Sequence, residues 1–416
     1  MDRDVTRSAY GLSALSISQR RPARIEEYET LARDVLPRYV FEYIASGADP
    51  GVSLTANTQC FALVVLVPRV MRPVAHVDTS VCIGPGHAQD GRKDKVESIG
   101  LSDPFFVAPF GLHRMAHPAG ELATAAACAA QNVPLGCSQH STVSLRKVAT
   151  AVPALRKFFQ LYVLREARLT QALVDSAIEM NCEAIIITVD SPVFGFRSVD
   201  TENGLNALPN GMHYENYESE VFQKIFGQSG KGIDDNIEAI FEPKLEWSHV
   251  RDVVRLCEKS GRRLQVMVKG ILHEEDAVLA AQAGASVVYI SNHGGRQFGS
   301  APAALSVVST CRRALDLNEF QNVSVVLDGG IRSGDDILKA VAAGADAVGL
   351  GRIILWALAA DGADGVQHVI EMLRAEIRRG MQLLGCRSLQ ELREARMLRL
   401  ADIDIQGNGA PRSSKL

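Results

Sequence analysis

Residues 285–297 read Ala-Ser-Val-Val-Tyr-Ile-Ser-Asn-His-Gly-Gly-Arg-Gln. The first half is apolar and rich in β-branched residues, which predicts a buried strand. The second half places an imidazole, His293, and a guanidinium, Arg296, at the end of that strand. An imidazole can accept a proton near neutral pH, and a guanidinium can hold a carboxylate through two hydrogen bonds. The stretch therefore predicts proton removal next to a carboxylate, although a surface loop with a solvated His and Arg would show the same pattern.

Seven other apolar runs of similar length surround this one, and Ala-rich amphipathic helical patterns lie between most of them. The eight predicted strands are 105–110, 133–138, 158–162, 184–190, 264–269, 286–291, 324–328 and 347–351. Continuous apolar strands separated by helices indicate a parallel sheet that is covered by helices. Eight such units favour a closed (β/α)8 TIM barrel. A doubly wound open sheet is the alternative, but no early G-x-G-x-x-G motif follows the first strand.

Polar residues or glycines lie at the carboxyl end of every predicted strand. They are Pro109-Phe110-Gly111, Ser138, Gln160 with Tyr162, Thr188 with Asp190, Lys269, Ser291 with His293, Asp328-Gly329-Gly330, and Gly351-Arg352. The chemistry of a TIM barrel takes place at this end of the strands. Because core packing does not require polar groups there, the pattern favours a functional site built from all eight strand ends.

An anion cradle is predicted at the seventh and eighth strand ends. Residues 328–334 read Asp-Gly-Gly-Ile-Arg-Ser-Gly, so that Ile331 and Arg332 stand among glycines with exposed backbone N–H groups. Arg352 follows the last strand, and a helix is predicted to begin near Asp335. Helix N-termini and Gly-rich turns at this position of a barrel commonly bind phosphate. Ordinary tight turns between strands and helices would also explain the glycines.

Lys269 is a candidate for contact with a cofactor, and His113 and His117 are candidates for metal ligands. A lysine at the end of an apolar strand is costly to bury unless it faces a negative partner. That partner could be a reduced flavin ring or a structural carboxylate, or the lysine could form a Schiff base. His113 and His117 are four residues apart, but no carboxylate accompanies them, so the sequence predicts no metal site.

The ends of the chain and one long connection fall outside the strand-helix pattern. Residues 1–24 are polar and are predicted to be disordered, and Pro37 should divide a helical pattern over residues 25–45 into two helices. Residues 203–247 predict a lid-like or disordered insert after the fourth strand. Residues 401–416 predict a flexible tail whose final Ser414-Lys415-Leu416 is a peroxisomal address read by an import receptor.

Composition excludes several classes of protein. Apolar residues make up 47% of the 416 residues, so that a large core can form, and the formal net charge of −4 gives no reason to expect a nucleic-acid partner. No apolar stretch is long enough to suggest a membrane span. The eight cysteines include no C-x-x-C pair, which is typical of reduced thiols in an intracellular protein.

Together these motifs resemble the FMN-dependent α-hydroxy acid oxidase/dehydrogenase family, which includes glycolate oxidase and the flavin domain of flavocytochrome b2. The likeness covers about residues 25–400, the predicted FMN-binding domain. It rests on six motifs: 159–162 (Phe-Gln-Leu-Tyr), 188–192 (Thr-Val-Asp-Ser-Pro), 291–297, 328–334, 351–352 and 386–389 (Cys-Arg-Ser-Leu).

The resemblance implies FMN as cofactor and oxidation of an (S)-2-hydroxy acid to a 2-oxo acid, with O2 reduced to H2O2. The implied catalytic residues are His293 as base, Asp190 orienting it, Tyr162 near the substrate hydroxyl, and Lys269 beside the flavin. The implied carboxylate ligands are Tyr43, Arg197 and Arg296, with Tyr162 and His293 completing the substrate site. The implied FMN ligands are Pro109, Phe110, Gly111, Ser138, Gln160, Thr188, Lys269, Ser291, Asp328, Gly329, Gly330, Ile331, Arg332, Gly351 and Arg352. The family also implies a homo-oligomer, commonly a tetramer.

Three residues depart from the family pattern. Phe110 stands where Thr or Ile is usual, and His140 stands where glycolate oxidases commonly carry Trp; together they predict a substrate bulkier or more polar than glycolate. Gly111 replaces a common Ala and should leave room over the flavin, as in some dehydrogenase members. Dehydrogenases with another electron acceptor and decarboxylating lactate 2-monooxygenase-like enzymes therefore remain alternatives. From other classes, a flavin protein without turnover and a Schiff-base aldolase-like barrel remain as well.

Overall fold

A computed structural model describes residues 21–85, 98–205, 208–209, 211–218, 220–226, 240–261 and 264–400. The terminal Ser414-Lys415-Leu416, all of 401–416, most of the segment 1–24 and much of the insert 203–247 lie outside the described residues. The strands are β1 Val64–Leu66, β2 Val81–Ile83, β3 Ile99–Leu101, β4 Phe105–Phe110, β5 Leu135–Cys137, β6 Lys157–Leu161, β7 Ala184–Thr188, β8 Gln265–Ile271, β9 Val287–Ile290, β10 Ser324–Leu327, β11 Ala347–Leu350 and β12 Leu398–Leu400.

The helices alternate with the strands over most of the chain. They are α1 Glu27–Val35, α2 Arg38–Ala45, α3 Val52–Ala62, α4 His113–Ala116, α5 Glu121–Ala130, α6 Leu145–Ala151, α7 Ala167–Glu179, α8 Ser198–Glu202, α9 Glu220–Phe226, α10 Trp247–Lys259, α11 Glu274–Gln282, α12 Ala304–Leu317, α13 Gly334–Ala342, α14 Arg352–Leu384 and α15 Leu389–Glu394. Short 3-10 turns span Glu215–Tyr217 and His293–Gly295. As predicted, Pro37 divides the first helical pattern, because it lies between α1 and α2 as the N-cap of α2.

Strands β4 to β11 form one closed barrel in chain order, in which each strand pairs in parallel with the next and β11 pairs with β4. This confirms the predicted (β/α)8 barrel and excludes the open doubly wound sheet. Each of the eight predicted apolar runs overlaps one barrel strand, with boundaries that differ by up to two residues. Because all eight strands run in the same direction, their polar carboxyl ends meet on one face of the barrel.

The barrel interior is a packed core of large side chains. Phe106 contacts Phe158 and Tyr289 edge to face, with ring centroids 5.4 and 5.6 Å apart. The antiparallel pair of β2 and β3 contributes Ile83 and Ile99 to the same buried cluster. Gly84, just after β2, donates to the hydroxyl of Ser324 at the start of β10, so the pair covers the amino-terminal end of the barrel. Each fully buried side chain of this size stabilises the fold by about 1.5–3 kcal/mol. The opposite end, which carries the polar residues, is left for ligands.

The N-terminal helices connect the outer layer to the polar end of the barrel. In α1, the Tyr28 hydroxyl lies 2.8 Å from Nδ1 of His368 in α14. The chain leaves α2 at Ser46, whose carbonyl oxygen accepts hydrogen bonds from Arg296 and Arg352. The segment before the barrel thus forms part of the wall around the strand ends.

All eight cysteines lie in the described part of the chain, and none forms a disulfide. Six of them are buried, Cys60 is half-buried and Cys82 is exposed. Among the described helices, none combines the length and apolar character needed to cross a membrane.

Candidate active site

A cavity of about 460 Å³ opens at the carboxyl ends of the barrel strands, and all eight strand ends contribute to its lining. Most of the predicted site residues line it directly. They are Tyr43, Pro109, Phe110, Gly111, Ser138, Gln160, Tyr162, Thr188, Arg197, Lys269, His293, Arg296, Asp328, Gly329, Gly330, Ile331, Arg332, Gly351 and Arg352. Asp190 and Ser291 do not line the cavity, but each is hydrogen-bonded to a residue that does: Asp190 to His293, and Ser291 to Asp328. The structure therefore brings all the predicted site residues to one place.

His293 is held by a carboxylate on the neighbouring strand end. Its Nδ1 lies 2.9 and 3.1 Å from the two carboxylate oxygens of Asp190, and Ser191 donates a hydrogen bond of 2.9 Å to Asp190. Burial alone would raise the pKa of Asp190, but the positive charges and hydrogen bonds of His293, Lys269 and Ser191 together lower it to about 2. Asp190 is thus an anion at neutral pH. Because its carboxylate occupies Nδ1, Nε2 is the imidazole nitrogen left for chemistry in the cavity.

The backbone at His293 is itself unusual. His293 has a φ of +58°, in the left-handed region, and the side-chain oxygen of Asn292 accepts a hydrogen bond from Gly295 N–H to close the turn. Such strain in a non-glycine residue is uncommon and clusters at functional sites. The turn aims the imidazole at Asp190.

Replacing Asp190 by Asn should make the protein less stable at neutral pH, and the size of this loss of stability should depend on pH. A carboxylate whose pKa falls from 3.8 to about 2 on folding contributes about 2 kcal/mol of stability above pH ~4. That contribution is lost as the pH falls through the folded-state value. The difference in Tm between wild type and Asp190→Asn should therefore shrink when the pH is lowered from about 6 to about 3. A difference independent of pH would show that the Asp190 charge is not stabilised by folding.

Lys269 and Asp328 form a second charged pair in the lining of the cavity. Lys269 is only 3% exposed, and its Nζ lies 3.8 Å from Oδ2 of Asp328, whose other oxygen accepts a hydrogen bond of 2.6 Å from Ser291. The lysine charge also contributes to the low pKa of Asp190. The predicted structural ion pair is present, and the ammonium group lines the cavity as well.

Two arginines and a tyrosine, Arg197, Arg296 and Tyr43, line the same cavity as His293 and make up the predicted carboxylate recess. Arg296 donates through Nη1 to the carbonyl oxygens of Tyr43 and Ser46, at 2.6 and 3.1 Å, and stacks over the Tyr43 ring. Burial lowers the pKa of Arg296. Arg197 donates through Nε to Asp200 at 2.5 Å. Sequence reasoning missed Asp200, although its position three residues after Arg197 in a short helix is a signal that could have found it.

The predicted anion cradle holds an excess of buried positive charge. Arg352 donates to the carbonyl oxygens of Ile44, Gly294 and Ser46 at 2.8, 2.9 and 2.8 Å. Its pKa lies well below the usual range because of burial and because the positive charges of Arg296 and Arg332 are near. Carbonyl groups do not neutralise three clustered guanidinium groups, so this region is suited to a bound anion such as a phosphate.

Helix α3 shapes the cradle through a residue that sequence reasoning missed. Gly330 has a φ of +86°, and a Cβ atom there would lie 2.1 Å from the carbonyl oxygen of Asn57. The Asn57 and Asn292 side-chain amides donate to each other at 2.8 and 2.9 Å. Asn57 thus joins the loop of Gly330 to the turn that carries His293. A lone Asn in a helix of mixed apolar and uncharged polar residues gives no sequence signal for such a role.

A row of polar side chains crosses β5, β6 and β7 on the other side of the cavity. Ser138 donates to Gln160 at 3.1 Å, and the amide nitrogen of Gln160 lies 3.1 Å from the Thr188 hydroxyl. Amide and hydroxyl groups arranged in this way can hydrogen-bond the edge of a planar polar ring. The cavity therefore offers hydrogen-bonding groups at one end and positive charge at the other, which fits a flavin with a phosphate tail.

The backbone of His140 lies close to Gly111. A Cβ at Gly111 would lie 2.8 Å from the His140 carbonyl oxygen, so the missing methyl group faces the His140 backbone rather than leaving open space. The interpretation that Gly111 provides room over the flavin is wrong in this respect.

His113 is buried, with Nδ1 2.9 Å from the Thr124 hydroxyl, and the described residues contain no group of three metal-ligating side chains that would include it.

Comparison with known proteins identifies the family. The sequence model of the FMN-dependent dehydrogenase family matches residues 32–399. The chain belongs to this family. It is therefore an oxidoreductase with FMN as cofactor, which confirms the resemblance seen in the motifs. Membership also excludes the flavin-free aldolase-like alternative.

Individual relatives agree with this assignment. Glycolate oxidase 3 of Arabidopsis thaliana is 36% identical over 368 residues, which cover 88% of this chain and 94% of the relative. The peroxisomal (S)-2-hydroxyacid oxidase of the same plant is 34% identical with the same coverage. Among solved structures, a mandelate oxidase superposes with a TM-score of 0.78 at 36% identity, covering 91% of this chain and 98% of the mandelate oxidase.

Proposed function

We propose that this FMN-dependent enzyme oxidises an (S)-2-hydroxy acid to the 2-oxo acid and that O2 then reoxidises the cofactor to give H2O2. The observation that carries the proposal is the shared cavity, which is lined by His293 and by Arg197, Arg296 and Tyr43, with Asp190 hydrogen-bonded to His293. A base next to a carboxylate-binding recess suits an acid whose hydroxyl group is on the carbon next to its carboxylate.

His293 acts as the general base in this proposal. Its Nε2 takes the proton of the substrate hydroxyl, and Asp190 stabilises the resulting imidazolium through Nδ1. FMN, when bound, would supply the acceptor for the two electrons that the substrate loses on oxidation. Lys269 supplies a fixed positive charge at the base of the cavity, which stabilises negative charge that develops on a bound ring.

The other residues position the substrate. Arg296 and Arg197 bind its carboxylate, with Tyr43 beside them, which fixes the hydroxyl-bearing carbon close to His293. Burial and the negative charge of Asp190 raise the pKa of Tyr162 far above its usual value, so its hydroxyl stays protonated and can donate to the substrate oxygen. Arg332, Arg352 and the backbone of Gly329 to Ile331 bind the FMN phosphate, while Ser138, Gln160 and Thr188 bind the ring or ribityl chain.

The proposed site of action is the peroxisome, through Ser414-Lys415-Leu416 and its import receptor. A relative described as peroxisomal supports this proposal. We also propose a homo-oligomer, a tetramer by family resemblance. As predicted from Phe110 and His140, the proposed substrate is bulkier or more polar than glycolate.

The proposed reaction predicts equal yields of 2-oxo acid and H2O2. We expect the yellow holoenzyme to bleach when (S)-2-hydroxy acids are added without O2, and to consume O2 and release one peroxide per 2-oxo acid in air. (R)-enantiomers serve as matched controls and should be at least about tenfold slower, because they misplace the hydroxyl relative to His293. Bleaching without O2 uptake would indicate a dehydrogenase, and a decarboxylated product without peroxide would indicate a monooxygenase. Bleaching by no 2-hydroxy acid would refute the proposed function.

A further inference from the structure

Tyr289 is a fully buried tyrosine in the interior of the barrel. It lies on β9, in register with Lys269 of β8 and Val326 of β10, and Phe106 meets its ring edge to face. Its side chain is 0% exposed. An apolar ring of the same size would fill this part of the core equally well. Packing therefore accounts for the ring of Tyr289 but not for its hydroxyl group.

The Tyr289 hydroxyl lies where a side chain on Gly349 would begin. A Cβ atom on Gly349 would be 2.2 Å from the hydroxyl oxygen and 3.0 Å from the Cβ of Ala108. Gly349 and Ala108 both line the cavity that holds the candidate active site. The glycine at this point of β11 thus makes room for the hydroxyl, which lies beside the lining of the cavity.

Two charged groups that line the cavity lie close to Tyr289. The Nζ of Lys269 is 5.8 Å from the centroid of the Tyr289 ring. The Asp328 carboxylate approaches the hydroxyl without completing a hydrogen bond of normal geometry. Burial and the negative charge of Asp328 raise the pKa of Tyr289 well above its usual value, so the hydroxyl stays protonated. Tyr289 therefore presents a polar O–H group to a buried anion.

The pair of Lys269 and Asp328 is open enough for a third group to influence it. Its Nζ–Oδ2 distance of 3.8 Å is too long for a hydrogen bond, while the other carboxylate oxygen accepts the bond of 2.6 Å from Ser291. A hydroxyl dipole directed at the Asp328 carboxylate stabilises its charge strongly in the low-dielectric interior. Without the hydroxyl, Asp328 would neutralise more of the Lys269 charge.

We propose that Tyr289 is a positioning residue that acts through Asp328: its hydroxyl offsets part of the carboxylate charge, so that the Lys269 charge raises the reduction potential of bound FMN more effectively. A fixed positive charge stabilises the negative charge that develops on a bound ring during reduction. Asp328 opposes this stabilisation, and the Tyr289 hydroxyl weakens the opposition. The inference rests on the proposed place of Lys269 beside the flavin and does not depend on the identity of the substrate.

The test is the reduction potential of bound FMN, measured by anaerobic titration of the holoenzyme with dithionite beside a reference dye. Tyr289→Phe removes only the hydroxyl. We expect this variant to retain FMN and its reduction to become about tenfold less favourable, which lowers a two-electron potential by about 30 mV. Tyr28→Phe is the matched control, because it removes another buried hydroxyl, 2.8 Å from His368 in the outer layer, and should leave the potential unchanged. An unchanged or raised potential in Tyr289→Phe would overturn the proposal.

Asp328→Asn decides whether the hydroxyl acts through the carboxylate. This substitution should raise the potential, because it removes the negative charge that opposes Lys269. Tyr289→Phe in the Asp328→Asn background should then change the equilibrium of reduction by less than about twofold, since the two residues act as one unit. The full tenfold effect in that background would show that Tyr289 acts by another route and would overturn its positioning role.

Gly349→Ala keeps the proposal testable if Tyr289→Phe does not fold or does not hold FMN. The added Cβ would displace the hydroxyl without removing it, so we expect a lower Tm and a lower reduction potential. A potential equal to that of wild type in a Gly349→Ala holoenzyme would contradict the proposal. Dithionite reduces FMN whether or not a 2-hydroxy acid does, so a failure of every acid to bleach the flavin would refute the proposed function and leave this result standing.

Discussion

Replacing His293 by Ala should slow reduction of the bound flavin by about 10²–10⁴-fold, the usual contribution of a positioned general base. The imidazole is the group that faces the cavity beside the carboxylate recess, and its Nδ1 is already occupied by Asp190. His140 is the other imidazole in the described lining and cannot replace it, because burial and the nearby positive charge of His293 lower its pKa to about 3. Its ring is also stacked against Tyr162 and Phe241. Stopped-flow bleaching under anaerobic conditions measures the loss directly.

FMN binding should survive this substitution, since the anion cradle and the polar row do not depend on His293. The left-handed φ of +58° at this position makes Ala slightly strained, so His293→Asn is the matched control, because Asn tolerates that conformation. Both variants should retain the flavin absorbance of wild type and lose reduction equally. Near-normal bleaching rates in either variant would remove His293 as the base.

The barrel could be predicted from the sequence because its signals are local. Eight apolar runs of five to seven residues alternate with Ala-rich helices, and a strand that is buried on both faces must read in this way. A closed parallel barrel brings its eight strand ends together. Residues as distant in sequence as Ser138 and Arg352 can therefore be assigned to one site from the sequence. The strand boundaries are predicted less accurately: the run 133–138 contains a strand over 135–137, the run 184–190 a strand over 184–188, and the run 264–269 overlaps a strand over 265–271.

The contacts that arise from long-range packing could not be predicted. Asn57 reaches Asn292 across 235 positions of sequence, and its carbonyl group fixes the need for glycine at position 330. The absence of a side chain at Gly111 predicts open space beside it, whereas the structure shows that the His140 backbone occupies that space. A sequence pattern states which residues share a face, but not which atoms from another element approach it.

Replacing Arg296 by Met should lower kcat/KM by about 10²–10³-fold, the effect expected when one partner of a buried charged contact is removed. KM should rise because the substrate carboxylate loses a ligand, and kcat should fall because the same contact orients the reacting carbon. Arg296→Lys keeps the charge but loses the planar fork, so it should fall between wild type and Arg296→Met. Steady-state kinetics on the acid that the wild type oxidises fastest would measure both parameters.

A structural contribution of Arg296 has to be separated from this effect, because its guanidinium also donates to the carbonyl oxygens of Tyr43 and Ser46 at the end of α2. Arg38→Met is the matched control. Arg38 lies in α2, the helix that Arg296 contacts, but it is exposed and pairs only with Glu42 among the described salt bridges. It should leave KM unchanged, since exposed ion pairs contribute little. If Arg296→Met lowered Tm but left KM at the wild-type value, Arg296 would be a tether for α2, and the carboxylate would have to be bound by Arg197 instead.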